Sequence, residues 1–524
     1  MTPQPRDWLA RLQALPLSGM LLLVFAWLAL TAGIRPLMLP DEGRYVGVAW
    51  EMLSSGRLAV PLLDGMPFFH KPPLFYWLTA FGLKVFGLNV WGARLASILG
   101  GTAGAISLWW FLRQHVGQRP ALLALLVLVT QPFFFAGSQF ANLDMLVAGM
   151  ISATIVLAAH AVLLAERGQA YRGALALAYL FAALGMLAKG LIGFVLPGGV
   201  LVLWVLLTRR YRAIVTLLWL PGIVLFLAAG LPWFVAMQQQ YHGFFDYFVI
   251  YHHFKRFSQT GFNNSQPIWF YLPVLLLLTL PWSWRLWPML RQGRAPAGMA
   301  RDVQALLWCW LGLILLFFSL PASKLVGYIL PVVPPFAALL ALSMGWGAES
   351  RGNTVGRAFG WQLALAASLC VVAVVAVSRH EGESAHVLAQ QMHGQMAGGD
   401  RLVMLDEYQY DLPFYLKLQQ PAWVISRWND ADIPLKDNWR KELYDASLFD
   451  QAAGKQTLLT SSDFAARLCD KSIGGDWWLW GYGDDATRYP WLAQLPALLA
   501  HGKQRVWRLT PAIRQAYCGT PSNG

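Results

Sequence analysis

The stretch Leu39–Leu53, LPDEGRYVGVAWEML, decides how the rest of the chain is organised. It follows an apolar run, Leu17–Ile34, and places two carboxylates, Asp41 and Glu42, beside Arg44 and Tyr45. Pro40 and the two acids suit a helix start, because proline is tolerated in the first turn and carboxylates complement the positive end of the helix dipole. Tyr45, Val48, Ala49, Met52 and Leu53 then fall on one face at helical spacing. Two readings compete: the acids merely cap a juxtamembrane helix, or they carry chemistry at a membrane surface. Taken alone, the stretch favours the cap.

Working outward, 57% of the 524 residues are hydrophobic, only 13% are charged, and 26 are Trp. A soluble protein could not hide so much apolar side chain, so long apolar runs are expected to span a membrane. About eleven spans are expected, near Leu17–Ile34, Ala93–Leu112, Ala121–Gly137, Met145–Leu164, Gly173–Leu187, Ile192–Leu207, Ala213–Ala236, Ile268–Trp287, Val303–Leu320, Leu325–Met344 and Phe359–Val377. The first lacks a small-residue cleavage site and is expected to stay as an anchor. Forty basic residues against 27 acidic ones give +13. In a soluble protein that excess would suggest nucleic acid. Here much of it sits in short loops, at Arg113, Arg119, Arg167, Arg172 and Arg209–Arg212, and no nucleic-acid partner is expected.

These arginines fall on one side if the amino terminus is cytoplasmic, as the positive-inside rule requires. An odd number of spans then puts the tail outside. The expected organisation is a mainly α membrane domain over residues 1–377, whose first outer loop covers 35–92, and a small soluble α/β domain over 378–524. In that tail, RLVMLD, AWVIS, KQTLLTSS, WWLWGY and QRVWRL read as short strands, with a helical stretch at Tyr410–Leu418. Trp477, Trp478 and Trp480 are expected to form its core. Cys469 and Cys518 could pair in an oxidising compartment or stay as thiols. Cys309 and Cys370 lie inside apolar spans.

The outer side gathers the chemistry. After LPDEGRY comes PFFHKPPLFYW, with His70 and Lys71 ahead of a second aromatic helix; both helices are expected at the membrane interface. Later outer ends carry Asp144 in ANLDM, Lys189 in AKG, His252, His253 and Arg256 in YHHFKRF, and Lys324 and Tyr328 in SKLVGY. Each alone could be a snorkelling interfacial residue. Ionisable groups at membrane depth are costly and usually functional, and so many on one face point to a site. Lys71, Lys189, Arg256 and Lys324 suit a phosphorylated ligand. His70 and His253 are the candidate metal ligands.

These motifs, taken in order, resemble the integral-membrane GT-C glycosyltransferases, over most of Leu17–Met344. The resemblance is greatest to the bacterial family that transfers 4-amino-4-deoxy-L-arabinose to lipid A, and more distant to the protein O-mannosyltransferases. It implies Asp41 as the catalytic aspartate, with Glu42 and Arg44 in its motif. It also implies Lys71, Arg256 and Tyr328 around a lipid-linked phosphate, and Asp144 and Lys189 in the substrate cavity; Tyr45 and Lys324 are further candidate substrate-binding residues. His253 falls near a histidine that helps to hold zinc in that family. The other family ligand is a glutamate, replaced here by His70. The family's roughly thirteen spans also exceed the eleven expected here.

The implied reaction is inverting transfer of a sugar, 4-amino-4-deoxy-L-arabinose, from undecaprenyl phosphate to lipid A. Another envelope glycan or a protein is the alternative acceptor, and a lipid-linked sugar transporter the alternative activity. Asp41 would serve as a base toward a hydroxyl acceptor. Toward an already ionised phosphate it would bind the sugar's amine or stabilise positive charge on the ring.

Overall fold

The structure is a computed structural model that describes residues 7–255, 264–292, 299–349, 357–379, 383–489 and 491–518. The chain forms two compact units: Met1–Arg35 with Lys71–His380, and Pro36–His70 with Glu381–Gly524. A cut at Val377 would leave the first outer loop with the membrane helices. By contact, residues 36–70 group instead with the tail.

The first unit is helical. Among the described residues seven helices are long and apolar enough to cross a membrane: Leu95–His115, Leu143–Glu166, Arg172–Lys189, Leu220–Gln240, Arg301–Ser319, Val326–Met344 and Ala358–Ser378. An eighth span exists if Gln118–Val129 and Pro132–Ser138, bent by 68°, are taken together. The expected eleven therefore include shorter or broken segments. Leu17–Ala29 has 13 residues and Ile192–Leu207 has 16. The run expected at Ile268–Trp287 is a helix at Tyr271–Leu278, then a tighter turn at Trp282–Arg285. Pro132 and Pro281 stand at these breaks, where a missing N–H and a fixed φ end the hydrogen-bond ladder. Leu95–His115 and Leu143–Glu166 meet so closely that a Cβ on Gly149 would lie 2.0 Å from the Gly100 carbonyl oxygen. Small residues allow this backbone approach where no hydrophobic force drives helices together.

The second unit is built on a six-stranded sheet of β1 (Arg401–Leu405), β2 (Trp423–Ile425), β3 (Leu458–Leu459), β4 (Trp477–Tyr482), β5 (Leu499–His501) and β6 (Gln504–Leu509), in the order β3-β2-β1-β4-β6-β5. The first four strands are parallel to one another, and β6 runs antiparallel to β4 and β5. A parallel sheet is covered on both faces, so its central strands read as continuous apolar runs. WWLWGY is such a run: Trp477, Trp478 and Trp480 are all fully buried. Trp478 donates to Asp400 at 2.9 Å and Trp480 to Gln504 at 3.0 Å, which satisfies both indoles. The helix expected over Tyr410–Leu418 is confined to Leu412–Tyr415. Cys469 and Cys518 are joined in a disulfide.

The helix Asp41–Ser55 belongs to this second unit and is buried over most of its circumference. Gly43 and Gly47, four residues apart, let it lie flat on the tail: a Cβ on either would come within about 3 Å of the backbone at Tyr410–Asp411. Trp50 donates to the Leu418 carbonyl at 3.1 Å. Further on, Asp64 and Gly65, both at positive φ, turn the two-residue strands Leu62–Leu63 and Met66–Pro67. Glu51 holds that turn, accepting from the Asp64 and Gly65 amides, each at 2.8 Å. Asp64 in turn accepts from the Ala422 amide at 2.8 Å.

Burial pushes the Glu51 carboxyl up to about 7, although the two amides pull it back. Its folded-state pKa thus lies above the unfolded value, and the folded protein holds the extra proton. That stabilisation is fully present below about 4.5 and is lost as pH rises through about 7. The second unit should therefore melt at a lower temperature at pH ~8 than at pH ~5.5, and Glu51→Gln should flatten this slope. Equal slopes for the purified wild type and variant would show that Glu51 does not set it.

Candidate active site

The sequence-predicted residues form two clusters, one in each unit. In the second unit, Pro40 precedes the helix and Asp41 and Glu42 occupy its first turn, as the dipole argument requires. The two acids then part. Glu42 is fully buried and accepts from the Met38 amide at 2.9 Å, closing the helix start. The Asp41 side chain keeps about a third of its surface exposed (32%), 3.5 Å from Arg44. Arg44 is the hub: its Nε lies 3.0 Å from Glu442, and its guanidinium stacks over Tyr45 and Tyr410, at 5.9 and 5.1 Å from the ring centres. Tyr410 donates to the same Glu442 oxygen at 2.6 Å.

Burial alone would lower the Arg44 pKa, but Glu442 and the surrounding anionic and phenolic groups carry it well above its ordinary value. Burial raises Glu442, while Arg44 and the Tyr410 hydroxyl oppose the rise. The arginine therefore stays charged and in place beside Asp41. Glu442 and Tyr410 were missed from sequence: they lie in the tail, and no local pattern links them to LPDEGRY. His70 stacks on Phe68, ring centres 4.3 Å apart.

In the first unit, Asn142 caps the helix Leu143–Glu166 by accepting from the Asp144 amide, which places Asp144 in the first turn. Asp144 pairs with Lys189, the last residue of Arg172–Lys189. Both side chains are nearly buried, at 9% and 11% exposure. The Lys189 ammonium sits 4.4 Å above the centre of the Tyr328 ring, a cation–π contact. Gly327 makes room beside them, because a Cβ there would come 2.3 Å from an Asp144 carboxylate oxygen in its present position. That glycine was not singled out from the sequence.

Lys71 is half-buried just ahead of the helix Leu74–Phe86. Lys324 is buried and spent on backbone. It donates to the carbonyls of Gln266, at 2.9 Å, and Pro321, while its amide donates to Asn264 at 3.1 Å. It clasps residues 264–266 to 321–324. Arg256 lies outside the described residues, as does the side chain of His253. Among the described residues no group of three His, Cys, Asp or Glu is arranged to hold a metal ion.

A many-spanning helical domain with polar clusters at its helix ends, joined to an α/β tail, defines an integral-membrane GT-C fold. Residues 70–235 match the family described as dolichyl-phosphate-mannose-protein mannosyltransferase. The crystal structure of ArnT from Cupriavidus metallidurans bound to undecaprenyl phosphate has the same fold, with a TM-score of 0.75, 23% identity, and coverage of 96% of this chain and 98% of that one. An undecaprenyl phosphate-α-4-amino-4-deoxy-L-arabinose arabinosyl transferase of Pseudomonas aeruginosa is 30% identical over 495 residues, 90% of this chain and 87% of its own. The chain belongs to this arabinosyl transferase family and is a multi-pass membrane protein. A relative of the same name from Erwinia tasmaniensis is 33% identical over 313 residues, 59% of this chain. The chain spans 55% of that relative's length, and 61% and 59% of those from Sodalis glossinidius and Pseudomonas fluorescens.

Proposed function

We propose that this protein is an inverting glycosyltransferase that moves 4-amino-4-deoxy-L-arabinose from undecaprenyl phosphate to lipid A at the periplasmic face of the bacterial inner membrane. The carrying observation is its relation, at 30% identity over nearly the full chain, to a transferase named for that donor. The separation of a buried Glu42 from a partly exposed Asp41 supports the assignment of chemistry to Asp41.

Outside the cytoplasm nucleotide sugars are absent, so the donor carries its sugar on a lipid phosphate. Lys71, Lys189 and Arg256, with the Tyr328 hydroxyl, stabilise the charge that grows on the departing phosphate. Asp144 holds Lys189, Lys324 positions residues 321–328, and Tyr45 flanks Arg44. The acceptor oxygen attacks the anomeric carbon from the face opposite the phosphate, which inverts it. Asp41 orients or deprotonates the acceptor, or holds the sugar's amine, and Arg44 fixes the carboxylate. A second reading, transfer to another envelope glycan or to protein, is favoured by the match of residues 70–235 to the mannosyltransferase family.

Mass spectrometry of lipid A from cells with and without the gene separates the readings. An added aminopentose that depends on the gene supports the first; an unchanged profile under inducing conditions removes it. Reporter fusions at Gly352 and Gly454 test orientation, with cytoplasmic activity expected only at Gly352. Lys71→Ala should lower donor use about ten- to hundred-fold, the equivalent of one charge-assisted phosphate contact. The Arg256→Ala variant should do the same, with the melting temperature unchanged in both. Normal transfer from a synthetic polyprenyl-phosphate sugar would reduce these residues to interfacial anchors.

A further inference from the structure

In the first unit a groove of about 710 Å³ lies between the helices Ile192–Leu207 and Met299–Ser319. Its walls are apolar, with Leu203, Leu207, Trp308, Leu313 and Leu316. Its mouth is not: Arg209 and Arg301 stand there, both exposed. The one acid in the lining, Asp302, is already held by Arg210 at 2.5 Å, which also pairs with Glu166. Among the described residues no side-chain hydrogen bond or ion pair holds Arg209 or Arg301. The mouth therefore presents two unneutralised guanidinium groups above a long apolar slot. Midway along it, Gly312 leaves space, since a Cβ there would meet nothing within 4 Å.

We propose that this groove is a lipid site separate from the donor's, which holds an anionic glycerophospholipid of the leaflet at the arginine-rich end of the spans. The acyl chain fills the slot, and the phosphate of the headgroup accepts from Arg209 and Arg301. Guanidinium suits that task, since its planar fork matches phosphate oxygens and is weakly hydrated. Basic pockets between membrane helices are suited to anionic headgroups for the same reason. The mouth lies at the far end of Ile192–Leu207 from Lys189, one helix of 16 residues or about 24 Å away. A phosphate at one end cannot also occupy the other.

The test uses the full chain in nanodiscs of phosphatidylethanolamine mixed with phosphatidylglycerol, released and weighed by native mass spectrometry. Wild type should retain phosphatidylglycerol in preference to phosphatidylethanolamine. Arg209→Gln and Arg301→Gln should each lower that preference about five-fold. Gly312→Leu, which fills the slot, should abolish retention of either lipid, while Arg172→Gln, an exposed arginine at the same end of the spans but outside the groove, should change nothing. Three results would overturn the proposal: an unchanged preference in both groove variants, an equal fall in Arg172→Gln, or a retained polyprenyl phosphate in place of the glycerophospholipid.

Discussion

Asp41→Asn should abolish most sugar transfer while leaving the fold intact. Asp41 sits in the first helical turn with its side chain partly exposed, and its pairing with Arg44 is loose at 3.5 Å. Removing its charge forfeits a dipole interaction of about 0.3–1 kcal/mol. If the carboxylate works in transfer, the loss in rate should instead be roughly a hundred-fold or more, as for a missing general base. Glu42→Gln is the matched control, and it should behave in the opposite way. Its carboxylate is buried and closes the helix start through the Met38 amide. An amide there brings an unplaced N–H₂ into the interior at about 1–3 kcal/mol, so the melting temperature should fall while the folded fraction still transfers sugar. The measurements are transfer from a synthetic polyprenyl-phosphate sugar and thermal unfolding, on each purified variant. Near wild-type transfer by Asp41→Asn would turn the motif back into a helix start.

The Asp144–Lys189 pair should give the largest effect on stability. Its members are nearly buried, so removing one leaves the other charged without compensation. Asp144→Ala should destabilise the protein by about 3–5 kcal/mol. The double variant Asp144→Ala/Lys189→Met replaces the pair with apolar groups and should recover most of that loss. Transfer should not recover with it, because the cation over the Tyr328 ring is then gone. A double variant that regains both stability and transfer would show that the pair only holds two helix ends together.

The membrane fold was legible because the bilayer imposes it. A chain must satisfy every backbone group within each span, so apolar helices announce themselves by composition. Their count was less legible, because Pro132 and Pro281 break runs that are continuous in hydropathy. The central tail strands were legible from runs such as WWLWGY, and β3 shrank to two residues because Lys455–Thr457 continue the preceding helix. At the site, Asp41, Arg44, Asp144 and Lys189 stood out because charges near membrane ends are costly. What sequence could not supply was their partners. Glu442 and Tyr410 look like ordinary residues of a soluble domain, and only folding brings them to Arg44. Glu42 and Asp41 are neighbours in sequence with the same charge, and helical rotation alone gives one a buried structural task and leaves the other reachable.

The grouping of residues 36–70 with the tail has a consequence for how the protein is made. Leu37 donates its amide to the Tyr415 hydroxyl at 2.8 Å across 378 residues of sequence. A ribosome adding about 5–20 residues each second needs roughly 20–75 s to cross that interval. For that time the nascent loop bearing Asp41 has left the insertion machinery without the surface it will rest on, and the buried face of its helix is exposed to chaperones and proteases. Completion of the last quarter of the chain therefore governs when the protein matures. A premature stop in that quarter would leave the membrane helices inserted while depriving Arg44 and Asp41 of their support.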